Sequence, residues 1–168
     1  MTPDPPRPPL RRRDKGLATR AEQDAVLHGA LVLRLAMALD GEPYLVPLSF
    51  GYDGARLYFH TAMEGRKLDI LARNPRVCFE AEAGVELLRH PERACSWSFA
   101  YDCVLGTGTV RELRGAAERR AALDQIMRHY GGEGAWDYAP ATLERTRIWA
   151  VEIEQLSGKR SRRKESAD

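Results

Sequence analysis

LVLRLAMALDGEPYLVPLSFGYDGARLYFH, residues 31–60, decides the fold class. Across Ala30–Leu39, Leu31, Leu33, Leu35, Met37 and Leu39 alternate with smaller or polar residues. A period of two places alternate side chains on opposite faces, which is the signature of a strand. Asp40-Gly41 is a hairpin turn signal. Glu42–Phe50 forms a second strand with Tyr44, Val46, Leu48 and Phe50 on one face. Asp53-Gly54 turns again into a third, Arg56–His60, with Leu57 and Phe59 opposite Tyr58 and His60. Three such runs joined by short turns predict an antiparallel meander. Pro47 lies inside the second run and removes a ladder donor, so it belongs at an edge, at a bulge or facing a ligand.

Upstream of this block, Thr19 and Glu22 form a capping-box pattern and Gly29 a stop, which predicts a first helix. Downstream, Glu64–Arg73 reads as a short helix with Leu68, Leu71 and Ala72 on one side, closed by Asn74-Pro75. Arg76–Ala83 is a fourth strand and Gly84–Cys95 a polar connection. Ser98–Leu113 is a long strand in which Gly106 and Gly108 indicate a bend or bulge. Ala116–Tyr130 is an amphipathic helix through Leu123, Ile126, Met127 and Tyr130. A loop containing Gly131, Gly132 and Gly134 leads to a last strand, Arg147–Leu156, with Trp149, Val151 and Ile153 on one face. The expectation is a mainly β domain of six antiparallel strands with short helices, closed or half-closed into a barrel.

The 168 residues fit one domain over 19–158. The near-neutral net charge of +2 hides a division. Basic residues exceed acidic ones by four in residues 1–20 and by three in residues 159–168, so the body between them is acidic by five. Residues 1–18 read as a disordered Pro- and Arg-rich arm and 159–168 as a basic tail. An acidic body argues against a dedicated nucleic-acid partner. No apolar run reaches the ~18 residues of a membrane span, and the Pro- and Arg-rich N-terminus, with no apolar stretch behind it, is not expected to be a secretory signal. Three cysteines without a CxxC spacing exclude a disulfide framework and the usual zinc patterns, and point to a reducing cytoplasm. No metal site is expected.

Chemistry concentrates at Leu57–Leu68. A strand ends at His60, a hydroxyl follows at Thr61, and a helix begins near Gly65 with two adjacent cations, Arg66 and Lys67. The first turn of a helix presents free N–H groups and the positive end of the dipole, where acids are preferred. Cations there suit a docked anion such as phosphate, which Arg binds bidentately and Lys as a point charge. Two solvated surface cations are the alternative. Lys67 is the only lysine of the acidic body. His28, His90 and His129 read as surface or capping residues, Cys78 as a small buried residue, and Trp136 and Trp149 as packing residues.

The run Pro43–Gly54, then Leu57–Thr61, Glu64–Asp69 and Asn74–Glu80, resembles the pyridoxamine 5′-phosphate oxidase-like split-barrel superfamily. Within that superfamily it is most similar to the nitroimidazole-resistance (nitroimidazole reductase) branch. Arg12-Arg13 and the segment Ile153 to Lys159 extend the resemblance over roughly residues 11–159. The resemblance implies a six-stranded antiparallel split barrel, a homodimer, and FMN in two clefts at its interface. It implies that Thr61, Arg66 and Lys67 hold the FMN phosphate and that Val46, Pro47, Leu48 and Ser49 lie along the isoalloxazine ring. His60 would stand near the flavin on the substrate side, as the candidate catalytic residue, and Trp97 and Tyr101 would close the cleft. The branch carries Arg-Ser after that tyrosine, where this chain has Asp102-Cys103, so the charge at the cleft edge differs.

The implied activity is an FMN-dependent oxidoreductase that takes a hydride from NAD(P)H and reduces a small organic acceptor, for which the branch resemblance suggests a nitroaromatic. Haem or a deazaflavin in the same cleft, and a non-catalytic flavin-binding dimer, are the alternatives.

Overall fold

The computed structural model describes residues 15–162. Its elements are β1 (Gly16–Leu17), α1 (Arg20–Gly29), β2 (Leu33–Leu39), β3 (Glu42–Leu48), β4 (Gly51–Tyr52), β5 (Arg56–Thr61), α2 (Arg66–Arg73), β6 (Arg76–Leu88), β7 (Ser98–Leu113), α3 (Ala116–Gly131), α4 (Pro140–Glu144) and β8 (Arg147–Ser161). Every strand pairing is antiparallel. The order across the sheet is β3-β2-β6-β7-β8-β5-β4, with β1 on β8. Six long strands and two of two residues therefore make the split barrel.

One face of the sheet wraps the larger core, with Leu33, Leu35, Phe59, Phe79, Val104 and Val151 all essentially inaccessible. α1 and α2 add Val26, Leu27, Leu68, Ile70 and Leu71 to it. A second cluster lies between the sheet and α3, where Tyr58, Leu113, Ile148 and Ala150 meet Ala122, Leu123 and Ile126. The first helix forms as its sequence predicts: Thr19 caps the Glu22 N–H, and the Glu22 carboxylate returns to the Thr19 N–H. Asp40 and Gly41 take positive φ, 52° and 87°, in the β2–β3 turn, as the favoured two-residue hairpin requires.

Several expectations need correction. The meander breaks after its first hairpin: β2 pairs with β3, but β5 pairs with β8 and β4 at the far end of the order. The cause lies in Pro43 and Pro47, which oppose Ala38 and Arg34 in the β2 ladder. A regular ladder tolerates proline only where its nitrogen faces away from the partner. Both prolines thus strip donors from the outer edge of β3, and among the described residues no strand adds there.

The strand reading of Ala30–Leu39 starts three residues early. Leu31 lies before β2 and is 75% exposed. β6 does not stop at Ala83 but passes an irregularity between Ala83 and Glu86 and continues to Leu88. Gly84, at φ 62°, takes a backbone conformation that other residues resist. In α2 the buried trio is Leu68, Ile70 and Leu71, while Ala72 is exposed. Both ends of the domain also reach further than 19–158. Leu17 is buried against Gly158, and Gly16 and Leu17 pair with Lys159 and Gly158. The remainder of the expected arm, 1–14, and of the tail, 163–168, lies outside the described residues.

Candidate functional site

β5 ends at Thr61 inside the larger core, and α2 begins five residues later, after a turn through Gly65. Gly65 stands at φ 137° and ψ 157° as the residue preceding the helix and supplies no side-chain cap. A Cβ built there would meet nothing within 4 Å. Within the turn, Leu68 N–H and Asp69 N–H return to the Gly65 carbonyl. The N–H groups of Arg66 and Lys67 belong to the first turn, which has no intrahelical acceptor for them. Asp69 is the one acid of that turn, so with Arg66 and Lys67 its net charge is positive. Neither cation forms an ion pair among the described residues. The open turn, its free donors and its two cations outside any ion pair fit a phosphate group.

Arg66 is exposed, and its guanidinium carbon lies 4.7 Å from the centroid of the Tyr44 ring. That contact brings the start of α2 beside β3. Tyr44, Val46 and Leu48 alternate along one face of β3 and are half-buried against the larger core, whereas Leu45, Pro47 and Ser49 are exposed. Arg66 thus lies beside Tyr44 on β3, with half-buried Lys67 on the same helix turn, while Val46, Pro47 and Leu48 follow along the strand away from that contact and Ser49 stands just past its end. Sequence reasoning missed Tyr44. Its place two residues before Val46, on the same face, was the available signal.

Thr61 is 5% exposed. Its hydroxyl donates to the Ala62 carbonyl at 2.8 Å and accepts from Trp149 Nε1 at 3.1 Å. Its single proton is already directed within the protein. His60 alternates with Thr61, is exposed, and pairs in the ladder with Ile148 of the second cluster. Its side chain therefore faces the opposite side of the sheet from Thr61.

Trp97 and Tyr101 stand apart from this group. Leu45, beside Tyr44, shares a row with Ala36, Cys78 and Thr107. Tyr101 lies six residues further along β7 and three strands across, roughly 25 Å over the sheet from Leu45 at ~3.3 Å per residue and ~4.8 Å per strand, and three residues beyond Val104 in the row of Leu48, Leu33 and Ala81. Trp97 is half exposed, and its Nε1 donates to the His90 carbonyl at 2.9 Å. Lys159 Nζ lies 5.8 Å from the centroid of the Tyr101 ring.

Asp102 and Cys103 point to opposite sides of β7. Asp102 binds Arg160 at 3.0 Å and Arg162 at 2.6 Å. Burial pushes its carboxyl up, but the two guanidiniums outweigh that and hold it below the usual range. The Cys103 thiol donates to Glu80 at 3.3 Å. Burial first, and the neighbouring Glu80 second, push the thiol up to about 12, so it stays protonated and unreactive at neutral pH. Among the described residues, no group of three or more His, Cys, Asp and Glu is placed to hold a metal. No described helix is long and apolar enough to cross a membrane.

The profile described as pyridoxamine 5′-phosphate oxidase matches residues 19–160. A proposed 5-nitroimidazole antibiotic resistance protein of Bacteroides thetaiotaomicron VPI-5482 superposes with a TM-score of 0.75 at 30% identity, covering 86% of this chain and 85% of that one. An FAD-binding protein of Mesorhizobium loti gives 0.61 at 26% identity over 86% and 96% of the two chains. An FAD and heme binding protein of Mycobacterium smegmatis shares the fold at 22% identity, with a TM-score of 0.76 over 88% and 73%. An uncharacterized protein of Rhizobium meliloti (strain 1021) is 36% identical over 62 residues, and that stretch covers 37% of this chain and 40% of the relative's length.

Proposed function

Because the chain belongs to the pyridoxamine 5′-phosphate oxidase family, in the branch of its nitroimidazole-resistance relative, we propose that it binds a flavin nucleotide, FMN, and works as a flavin-dependent oxidoreductase. The carrying observation is the open, doubly cationic start of α2 beside the proline-marked edge of β3. Arg66, Lys67 and the first-turn N–H groups hold the phosphate. The exposed backbone of Val46–Ser49 lies along the ring, and Tyr44 fixes Arg66 between the two. A bound flavin supplies two-electron redox chemistry, with a reduced nicotinamide as donor and a small organic molecule as acceptor, while the protein supplies binding, orientation and a shaped cleft. The likeness to the 26%-identical FAD-binding protein of Mesorhizobium loti supports the flavin reading.

The same reading calls for a homodimer. Trp97 and Tyr101 stand three strands across the sheet from β3, and in this reading they serve a cleft completed by a second copy. The outward face of the sheet supports such pairing: Leu45, Leu87, Trp97, Phe99 and Leu105 are each more than a third exposed.

The test is an absorption spectrum of the purified protein after incubation with FMN, followed by anaerobic mixing with NADH and NADPH. Flavin absorbance that co-elutes with the protein and is bleached by one donor is the expected result. A Soret band without flavin absorbance, or a colourless protein after FMN incubation, overturns the flavin assignment. Flavin that neither donor bleaches overturns the oxidoreductase assignment alone. In the Arg66→Ala/Lys67→Ala double variant, two charge-assisted contacts are lost, each worth ~1.5–3 kcal/mol. Retention of FMN should then fall by about a hundredfold or more, and a variant as yellow as the parent would overturn the phosphate assignment.

A further inference from the structure

The carbonyl of Ala62 is drawn inward by the Thr61 hydroxyl, and that hydroxyl is in turn held by Trp149 Nε1. Both side chains are buried, at 5% and 6% exposure. Trp149 has little freedom of its own. Its ring stacks on Phe59 with centroids 6.3 Å apart and planes 11° from parallel, and Arg147 covers it at 4.8 Å. Arg147 is fixed by two bonds to the Glu112 carboxylate, at 2.7 and 2.9 Å. A rigid column therefore runs from Glu112 to the peptide that follows β5. In a trans peptide the carbonyl and the next N–H point in opposite directions. Pinning the Ala62 carbonyl toward the buried hydroxyl thus aims the Met63 N–H away from it. Met63 is half exposed and stands two residues before Gly65.

We propose that Trp149 is a positioning residue for the anion site: through Thr61 it sets the Ala62–Met63 peptide so that the Met63 N–H joins the first-turn donors of α2 around the phosphate. Trp149 touches no ligand in this arrangement, and Thr61 acts by its bond to Ala62 rather than as a direct phosphate ligand. The proposal rests on the phosphate reading given above and adds two members to that site. It also explains why a threonine ends β5 inside the core, where its hydroxyl would otherwise cost ~1–3 kcal/mol unpaired.

The test compares equilibrium affinities of apoprotein for FMN and for riboflavin, which lacks the phosphate, by flavin fluorescence quenching. The parent protein prefers FMN. Trp149→Phe keeps the stacked ring and removes the N–H. It should lower FMN affinity about five- to tenfold and change riboflavin affinity less than twofold. Thr61→Val should do the same, and Thr61→Ser should restore the preference. Thermal unfolding of each variant confirms that a folded protein is being titrated. If Trp149→Phe weakens both ligands equally or neither, or if Thr61→Ser fails to rescue, the positioning role is overturned while the phosphate site stands. A parent protein that binds riboflavin as well as FMN overturns the phosphate site and this role together.

Discussion

Gly106 has no room for a side chain. A Cβ there would fall 2.0 Å from Phe79 Cζ and 2.6 Å from both Cε atoms, and Phe79 is itself 1% exposed within the larger core. Gly106→Ala must therefore displace a ring with nowhere to go, at a cost of ~1–3 kcal/mol. Calorimetry should show the melting temperature lowered by roughly 3–10 °C, and adding Phe79→Leu should recover part of the loss. An unchanged melting point would mean that the ring rotates away freely. The glycine was legible in the sequence as a bend, but its partner was not, because Phe79 meets it across a ladder 27 residues away. The same distinction holds at the candidate site. Gly65, Arg66 and Lys67 are local, and their conflict with the helix dipole is visible in the sequence alone. Trp149 reads as packing, which it is, yet its bond to Thr61 spans 88 residues and no pattern within a short window announces it.

Among the elements, α1 is tied to the β4–β5 turn by a compact polar knot. Tyr52 donates to Asp24 at 2.6 Å, and Arg20 reaches both the Tyr52 hydroxyl, at 2.7 Å, and the Gly54 carbonyl, at 2.8 Å. Burial first, and the bond to Asp24 second, push Tyr52 up to about 12. A pKa raised in the folded state above the ~10 of an unfolded tyrosine gives stability that is whole below pH 10 and lost as pH rises through 12. Denaturant titrations should accordingly show stability falling between pH 10 and 12, and Tyr52→Phe should flatten part of that fall. A slope unchanged in the variant would assign the loss to Tyr58 and Tyr138, which are pushed up to about 12 as well.

Element order was the harder thing to read. Period and turn chemistry located the long strands, because those signals are local. They did not tell which strand pairs with which: β5 follows β3 by eight residues and yet joins β8. Two prolines at the same parity of β3 held that information, as missing donors on one edge. The continuation of β6 to Leu88 was hidden because Glu82, Gly84 and Glu86 look like a polar loop, whereas cross-strand pairs such as Leu87 with Phe99 hold the segment in the sheet.

For the whole molecule, the exposed apolar outward face is the feature that calls for a partner. A monomer seldom leaves so many large apolar side chains uncovered on one face. Light scattering coupled to size exclusion should give twice the 18.9 kDa chain mass. Leu105→Arg, placed beside Glu80 and Ser157 in the ladder, should shift the mass toward one chain and lower FMN retention together. A monomeric variant that keeps its flavin would show the cleft to be complete in one chain and would overturn the shared site.

The pairing of β1 with β8 has a topological consequence. Gly16 lies opposite Lys159 and Leu17 opposite Gly158, so the path through the described residues leaves and returns at the same place. The described path, 15–162, is nearly a ring. A short flexible linker from residue 162 to residue 15 would close it, and the Asp40-Gly41 turn, exposed and at the tip of the β2–β3 hairpin, is a suitable place to reopen it, as circular permutation favours such sites. The permuted chain would begin with β3 and end with β2, and every ladder would be re-formed from the same residues.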